Sequence, residues 1–267
     1  MSISKDLIDS YYSIKFENLD QESVTASRNL LMDCIGNIVA SYRVDKNEKL
    51  NKKFIDSLSK ETEFLPFFLG MLIHRLDFDD THYGALIHTG SITVPAAIYS
   101  SFLKKTSGKD LLTSICIGVE LAVTLASVEK HMFHKKGFHA TALVGPFSSS
   151  LIYSYLNGYS KNKAIDAFGI AGSFTSGNLS FLNSGDNTKI VHPGWASFSG
   201  CKATEITNYS VTGSESIFED DNGFFSLYSN VEKISKKIKT NIDDYEIKIV
   251  NFKPYPICQL NIASIRL

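Results

Sequence analysis

Residues 74–95 read His-Arg-Leu-Asp-Phe-Asp-Asp-Thr-His-Tyr-Gly-Ala-Leu-Ile-His-Thr-Gly-Ser-Ile-Thr-Val-Pro, and the rest of the chain is organised around them. Three acids, three histidines and a threonine fall within fifteen positions, directly after the apolar run at 64–73. If that run is helical and continues through Thr81, then His74, Asp77 and Thr81 share one helical stripe. An apolar helix is drawn into the core and would carry these polar groups to the edge of a buried site. We therefore expect the chemistry of the protein to lie here.

The bulk composition is that of an ordinary globular protein. Of 267 residues, 43% are hydrophobic and 21% are charged, and the formal net charge is −1. This balance gives no electrostatic support for a nucleic-acid or membrane-surface partner. There is no run of eighteen uninterrupted apolar residues, and the N-terminus carries an acid instead of a secretory signal. We expect one large core, or one domain and part of another, with no nucleic-acid or membrane partner and a cytoplasmic location.

The cysteines indicate no disulfide framework. Cys34, Cys116, Cys201 and Cys258 lie far apart and form no CxxC pair. Three of them stand in apolar contexts, which is typical of buried, reduced thiols.

Helical periodicity dominates the first two thirds of the chain. It predicts a long buried helix at 23–43, and shorter helices at about 52–59, 96–103, 111–128, 141–157, 162–174 and 194–207. Beyond Ser210 the pattern changes to loops, and Glu246 to Phe252 alternates like a strand. The predicted fold class is mainly α, with a short β-containing C-terminal segment.

Many polar residues have a structural explanation that competes with a functional one. Glu120 lies inside an apolar helix and is expected to be a paired structural carboxylate. Structural roles are also expected for three further groups of side chains: capping or local pairing by Asp79 and Asp80, ordinary core or surface positions for His74 and His82, and a solvated loop containing His131, His134, Lys135 and Lys136.

A metal site is the alternative interpretation of the dense polar stretch, because His74, Asp77, His82 and His88 all carry possible ligands. The sequence contains no HExxH motif and no paired Cys/His set. We therefore expect no metal.

Segments along nearly the whole chain resemble the MmgE/PrpD family, which includes 2-methylcitrate dehydratase, cis-aconitate decarboxylase and iminodisuccinate epimerase. They occur in the family's order: Leu31-Met-Asp-Cys-Ile-Gly36; Leu76-Asp-Phe-Asp-Asp-Thr-His82 with His88-Thr-Gly90 and Pro95-Ala-Ala97; Ser107-Gly-Lys-Asp-Leu-Leu112 with Gly118-Val-Glu120; Gly137-Phe-His-Ala-Thr141 with Gly145-Pro146; Lys189-Ile-Val-His-Pro-Gly194; Phe218-Glu with Gly223-Phe224; and Lys253-Pro-Tyr-Pro-Ile-Cys258.

The resemblance implies a large all-helical domain followed by a smaller α/β lid domain, usually in a homodimer, and catalysis without cofactor or metal. It assigns residues 1–250 to the helical domain and 251–267 to the start of a lid or linker, with the lid itself missing. The catalytic positions that it implies are Asp77, Thr81, His88, Lys189 and Lys253, and the expected substrate-binding positions are His139, His192 and Cys258.

These residue types suit a reaction that passes near a carbanion next to a carboxylate. Lysines at positions 189 and 253 would bind carboxylates and spread the developing charge. His88 would act as acid or base near neutral pH. Asp77 would orient a histidine or take a proton, and Thr81 would donate a hydrogen bond to the substrate.

The C-terminal segment departs from the family pattern. The family usually has Cys-Arg and then a histidine here, whereas Gln259 follows Cys258 and Ile262 stands near the histidine position. The last residues resemble the opening of a helix that stops at once, so we expect a truncated chain.

Two functions stay open. One is a cofactor-independent lyase or isomerase of a small di- or tricarboxylate, with proton abstraction next to a carboxylate as in 2-methylcitrate dehydratase. The other is a catalytically inactive, truncated relative that serves as a dimerising or binding module.

Overall fold

The computed structural model describes residues 2–44, 49–231, 234, 237–240, 242 and 244–265. The α-helices, in chain order, are α1 (Ile3–Ser13), α2 (Gln21–Val44), α3 (Lys49–Ser57), α4 (Leu65–His74), α5 (Gly90–Lys104), α6 (Gly108–Ser127), α7 (Met132–Lys135), α8 (Ala140–Asn157), α9 (Lys161–Gly172), α10 (Phe181–Ser184), α11 (Val191–Ile206), α12 (Phe224–Tyr228) and α13 (Ile262–Ile265). One-turn 3₁₀ helices lie between them at Phe16–Asn18, Thr62–Phe64, Thr188–Ile190, Thr207–Tyr209, Glu246–Ile249 and Gln259–Asn261. The prediction of a mainly α fold is confirmed.

Serine caps explain where three of the helices begin. The hydroxyl oxygens of Ser2, Ser107 and Ser160 accept hydrogen bonds from backbone N–H groups three residues later. Such a bond satisfies one of the free N–H groups in the first turn of a helix. The helices predicted at 111–128 and 162–174 thus begin at Gly108 and Lys161, within three residues and one residue of the predicted starts.

Helix α8 forms the centre of the core. All its residues from Ala140 to Ser154 are buried, as expected for a helix whose surface is covered on every side. Helices α5, α6, α9 and α11 pack around it. The fully buried ring of Phe147 lies 4.9–6.1 Å, between ring centroids, from the rings of Phe168, Phe218 and Phe224.

Helix α6 is long and apolar enough to cross a membrane by length and composition alone. In this structure 72% of its most apolar window is buried inside the protein, so α6 occupies the position of a core helix. The cysteines at 34, 116 and 201 are also buried and free, which confirms their predicted state.

Two glycines allow α4 and α11 to cross closely. A Cβ atom on Gly70 would lie 2.7 Å from the Cα of Gly194, and one on Gly194 would lie 2.4 Å from the carbonyl oxygen of Phe67. Only glycine leaves room for backbones at such distances. This crossing places the end of α4, at His74, near the beginning of α11, at His192.

The predicted continuation of α4 through Thr81 is wrong. The helix ends at His74, and Asp77 has a left-handed backbone with φ of 51°. Aspartate tolerates this conformation better than most residues, and lysine side chains hold both its carboxylate and its carbonyl oxygen. His74, Asp77 and Thr81 therefore do not share a helical stripe; a turn brings them together instead.

The strand predicted at 246–252 is also wrong. Glu246–Ile249 forms a 3₁₀ helix, and β-type pairing in the described part of the chain consists of isolated bridges such as Thr81 with Asn251. Residues two apart share one face of a strand, yet Ile247 is 1% exposed and Ile249 is 59% exposed, so the alternation of apolar residues does not correspond to alternating burial here. The predicted helix opening near the C-terminal end is α13, and residues 266 and 267 lie outside the described ranges.

Candidate active site

Four histidines converge between the ends of the helices. His74 ends α4, His88 precedes α5, His139 is the N-cap of α8 and His192 lies in the first turn of α11. The ring centroids of His74 and His88 lie 4.7 Å apart, those of His74 and His139 5.7 Å apart, and those of His139 and His192 5.3 Å apart. His74, His139 and His192 are 2%, 4% and 8% exposed, so the cluster is largely screened from solvent.

Asp79 and the backbone of Asp80 fix two of these rings. The Nδ1–H of His74 donates to the Asp79 carboxylate at 2.7 Å, and the Nδ1–H of His88 donates to the Asp80 carbonyl oxygen at 2.8 Å. The hydroxyl of Thr81 lies 3.4 Å from the same His88 nitrogen. Burial raises the pKa of Asp79, but His74, His88 and Lys253 outweigh it and hold the net pKa well below the usual range. Asp79 is therefore a buried anion.

Burial keeps the other rings of the cluster neutral at neutral pH. It lowers the pKa of His88 to about 3 although Asp79 opposes the shift, and it lowers the pKa of His192 to about 4. Burial, together with the neighbouring histidines and Lys189, lowers the pKa of His139 as well. Removing a charged imidazolium from water is unfavourable, and adjacent positive charges add to that penalty.

Beside the histidines, two lysines meet on one carboxylate. The Nζ atoms of Lys189 and Lys253 each lie 2.9 Å from Oδ1 of Asp77, and Lys253 also donates to the Asp77 carbonyl oxygen at 2.7 Å. Burial raises the pKa of Asp77, but the two ammonium groups outweigh it and lower the net pKa. The Lys253 side chain is completely buried, whereas those of Lys189 and Asp77 are 24% and 30% exposed. Two cations thus face one partly accessible anion.

Asp80 has the structural role that the sequence favoured. Its carboxylate accepts hydrogen bonds from the N–H and hydroxyl of Thr89 and from the N–H of Gly90, at the beginning of α5. Burial, reinforced by nearby Asp79, raises its pKa to about 7 despite these bonds. Asp80 therefore holds the N-terminus of α5 in place and with it His88.

The C-terminal segment is attached to the helices beside the site. Glu120 accepts a hydrogen bond from the N–H of Ile247 at 3.0 Å, and His82 lies 3.1 Å from the carboxylate of Glu246. Burial raises the pKa of Glu120 to about 8. Glu120 is thus a paired structural group, as predicted, and it anchors the segment that delivers Lys253.

The structure brings most of the residues assigned by sequence into one place: Asp77, Thr81, His88, His139, Lys189, His192 and Lys253. Cys258 is exposed, and no hydrogen bond of the described residues links it to the others, so its role in substrate binding stays a prediction. Of the loop predicted to be solvated, His131, Lys135 and Lys136 are exposed and His134 is half-buried.

Sequence reasoning missed two members of the cluster. It assigned His74 to an ordinary core or surface position and Asp79 to capping or local pairing, and the structure has both buried and paired to each other. That pair, however, lies directly against His88 and His139. The available signal was that His74 directly follows an apolar run and precedes Asp79 by only five residues.

The fold and this site define a helical protein in which a buried histidine–aspartate cluster adjoins a pair of lysines on one carboxylate. Residues 66–237 match the family model described as the MmgE/PrpD N-terminal domain, and the chain belongs to this family.

Two relatives extend the likeness. The chain is 24% identical to human cis-aconitate decarboxylase over 276 residues, covering 96% of this chain and 56% of the relative. It is 25% identical to the mouse cis-aconitate decarboxylase over 246 residues, covering 86% of this chain and 50% of the relative. The chain thus spans about half the length of these relatives.

Proposed function

We propose that this site belongs to a cofactor-independent lyase or isomerase that acts on a small di- or tricarboxylate by moving a proton next to a carboxylate. The observation that carries the proposal is the meeting of Lys189 and Lys253 on the Asp77 carboxylate, beside neutral histidines. Two ammonium groups at one point form a binding site for a carboxylate, and the neighbouring rings are able to accept a proton.

A substrate carboxylate would compete with Asp77 for the lysines. Lys253 is buried and bonded to the backbone of Asp77, so its position is fixed. Lys189 and the Asp77 carboxylate are partly exposed, so a ligand is able to reach them. The substrate would take over one or both ammonium groups and release the Asp77 carboxylate to orient a histidine or accept a proton.

His88 is the group proposed to transfer the proton. With Nδ1 bonded to the Asp80 carbonyl, its Nε2 is the nitrogen that carries a free lone pair. A ring with a pKa of about 3 is a weak base, but a substrate with two or three negative charges raises that pKa because opposite charges favour the imidazolium. Binding would therefore activate the base, while the lysines spread the charge that develops on the substrate.

The relatives support this reaction class without selecting the reaction. Two cis-aconitate decarboxylases match across most of this chain, and the reaction for which they are named removes a carboxylate from a small tricarboxylate. Decarboxylation, dehydration and epimerisation of such acids all pass near a carbanion beside a carboxylate, so we propose the shared step and not one product. A homodimer in the cytoplasm remains part of the proposal, and light scattering of the purified protein tests its dimeric state.

Proton NMR of the purified protein in D₂O with citrate, 2-methylcitrate, cis-aconitate and iminodisuccinate tests the proposal. Expected is deuterium at a carbon next to a carboxylate, or loss of water or CO₂. Lys189→Met should weaken binding of the active acid, because it removes one of two ammonium groups. The matched control is Lys161→Met, since Lys161 pairs with Asp9 in an exposed position. Equal loss in both variants would refute the assignment of the lysines.

The NMR exchange experiment, combined with calorimetric binding of the same acids, tests the binding-module alternative. His88→Asn keeps a side-chain N–H for the Asp80 carbonyl but removes Nε2, so it should bind the acid and fail to exchange the proton. Calorimetric binding without exchange in the wild-type protein would support a binding module. Neither binding nor exchange across the panel, from a folded protein, would contradict both functions.

A further inference from the structure

Beside the candidate active site, the ring of His82 is bonded at both nitrogens. Its Nδ1 lies 3.1 Å from the backbone nitrogen of Ala85, its Nε2 lies 3.1 Å from the carboxylate of Glu246, and the side chain is only 3% exposed. We propose that His82 is a positioning residue for Lys253, which it holds at the site by bonding Glu246 in the same chain segment. Its effect on substrate binding rests on the proposed function of Lys253 as a carboxylate-binding group.

The bond from Ala85 fixes the tautomer of this ring. A backbone N–H only donates, so Nδ1 is the unprotonated nitrogen and Nε2 carries the hydrogen. Burial lowers the pKa of His82, although Glu246 opposes the shift, so the ring is neutral at neutral pH. The Nε2–H group is therefore a fixed donor to the Glu246 carboxylate.

A tight turn holds the His82 ring next to the active-site residues. The N–H of His82 donates to the carbonyl oxygen of Ile87 at 2.9 Å, and the N–H of Leu86 donates to the carbonyl oxygen of His82 at 2.8 Å. Gly84 lies against the ring, since an added Cβ there would be 3.2 Å from Cε1 of His82. His88 directly follows this turn, so the ring of His82 has a fixed position relative to the site.

The segment that carries Lys253 has little regular structure of its own. It contains the single 3₁₀ turn Glu246–Ile249, and the backbone after that turn is extended. The ion pair of Lys248 with Asp20 is partly exposed, and such pairs contribute little to stability. Three further attachments join the segment to its surroundings: two backbone hydrogen bonds between Asn251 and Thr81, the bond from the N–H of Ile247 to Glu120, and the bond from His82 to Glu246.

These attachments determine where the Lys253 ammonium group lies. Its side chain is completely buried, and its Nζ lies 2.9 Å from the carboxylate and 2.7 Å from the carbonyl oxygen of Asp77. If His82 no longer held Glu246, the 3₁₀ turn would shift and Nζ would lose part of this geometry. An unpaired buried ammonium group is unfavourable, so the lysine would then turn towards solvent. We expect the loss in substrate binding and not in proton transfer, because the bond that orients His88 is untouched.

Two conservative variants separate the two bonds of the ring. In His82→Asn, the side-chain oxygen takes the place of Nδ1 and still accepts from Ala85, but no group reaches Glu246. In His82→Gln, the side-chain nitrogen takes the place of Nε2 and still donates to Glu246, but Ala85 loses its acceptor. Positioning of Lys253 requires the second bond, so we expect a defect in His82→Asn and rescue in His82→Gln. A role confined to the turn predicts the reverse.

Reductive methylation of the full chain with ¹³C-formaldehyde, followed for each lysine by mass spectrometry, measures the accessibility of Lys253 without any substrate. Lys253 should react slowly in the wild type and at least about fivefold faster in His82→Asn, whereas His82→Gln should stay within about twofold of the wild type. Glu246→Ala removes the same bond from a side chain that is 44% exposed, so it should raise the rate similarly without disturbing folding. Lys161, which is 49% exposed, is the internal reference, and His131→Asn at an exposed histidine is the matched control.

Calorimetry with the acid that the wild type binds gives the functional measurement. His82→Asn should raise Kd about threefold to tenfold, while the exchange rate at saturating acid stays within about twofold. An unchanged methylation rate of Lys253 in both His82→Asn and Glu246→Ala would overturn the proposal, and so would faster methylation in His82→Gln than in His82→Asn. If the wild type binds no acid, the proposed function fails, but the methylation rates still decide whether His82 positions Lys253.

Discussion

Replacing Gly70 with alanine tests whether the close crossing of α4 and α11 is needed. The new Cβ would lie 2.7 Å from the Cα and 2.8 Å from the nitrogen of Gly194, and 3.0 Å from the carbonyl carbon of Pro193. All three are backbone atoms, so no side chain is able to rotate away. Carbon atoms pack at about 3.5–4.0 Å, so the helices must separate by several tenths of an ångström or more.

The magnitude follows from two opposing terms. Overpacking of a tight core typically costs about 1–3 kcal/mol. Glycine to alanine inside a helix otherwise stabilises by about 0.5–1 kcal/mol. Gly36→Ala isolates the second term, because Gly36 lies inside α2, is exposed and has no atom within 4 Å of its added Cβ. Gly36→Ala should therefore be more stable than Gly70→Ala by about 1–3 kcal/mol.

Urea unfolding followed by circular dichroism measures both variants against the wild type. Because the crossing aligns His74 with His192, Gly70→Ala should also weaken ligand binding at the site, whereas Gly36→Ala should not. If Gly70→Ala unfolds at the same urea concentration as Gly36→Ala, with unchanged ligand affinity, the crossing does not depend on glycine and the reasoning is refuted.

Three further predictions concern stability and are measured by urea unfolding. The pKa of Glu120 in the folded protein, about 8, lies above its value in an unfolded chain. Its contribution to the free energy of unfolding is therefore fully present below about pH 4.5 and is lost as the pH rises towards 8. Relative to Glu120→Gln, the free energy of unfolding of the wild type should fall by up to about 1.4 kcal/mol per pH unit in that window. Parallel curves of unfolding free energy against pH for the two proteins would contradict this. The asparagine in Asp80→Asn is unable to accept all three hydrogen bonds from Thr89 and Gly90, so the free energy of unfolding should fall by about 1–3 kcal/mol. An unchanged urea midpoint would contradict the capping role of the carboxylate. Phe147→Ala opens a cavity in the centre of the core and should lose about 3–5 kcal/mol; a loss below 1 kcal/mol would mean that the surrounding rings collapse into the space.

Apolar spacing was sufficient to predict most of the helices. It failed at two places where hydrogen bonds from distant side chains determine the backbone conformation. Asp77 leaves the helix because lysines hold its oxygens, and Ile247 sits in a 3₁₀ turn because Glu120 binds its N–H. Neither contact has a sequence period, so no local pattern could have revealed them.

The candidate site shows the same limit. Asp77 is 112 residues from Lys189 and 176 from Lys253, and periodicity carries no information over such separations. The resemblance to the family assigned these residues to one active site, and the fold brings them together. The pairing of His74 with Asp79 was within reach of local reasoning, but its contact with His139 was not, because that contact depends on how α4 packs near α8.

The long separation between Asp77 and Lys253 also orders events during synthesis. At about 5–20 residues per second, Lys253 is added roughly 9–35 s after Asp77. Lys189 is added earlier, so a nascent chain has one ammonium group for Asp77 well before it has the second. The arrangement with both ammonium groups on Asp77 can therefore form only after residue 253 has been added.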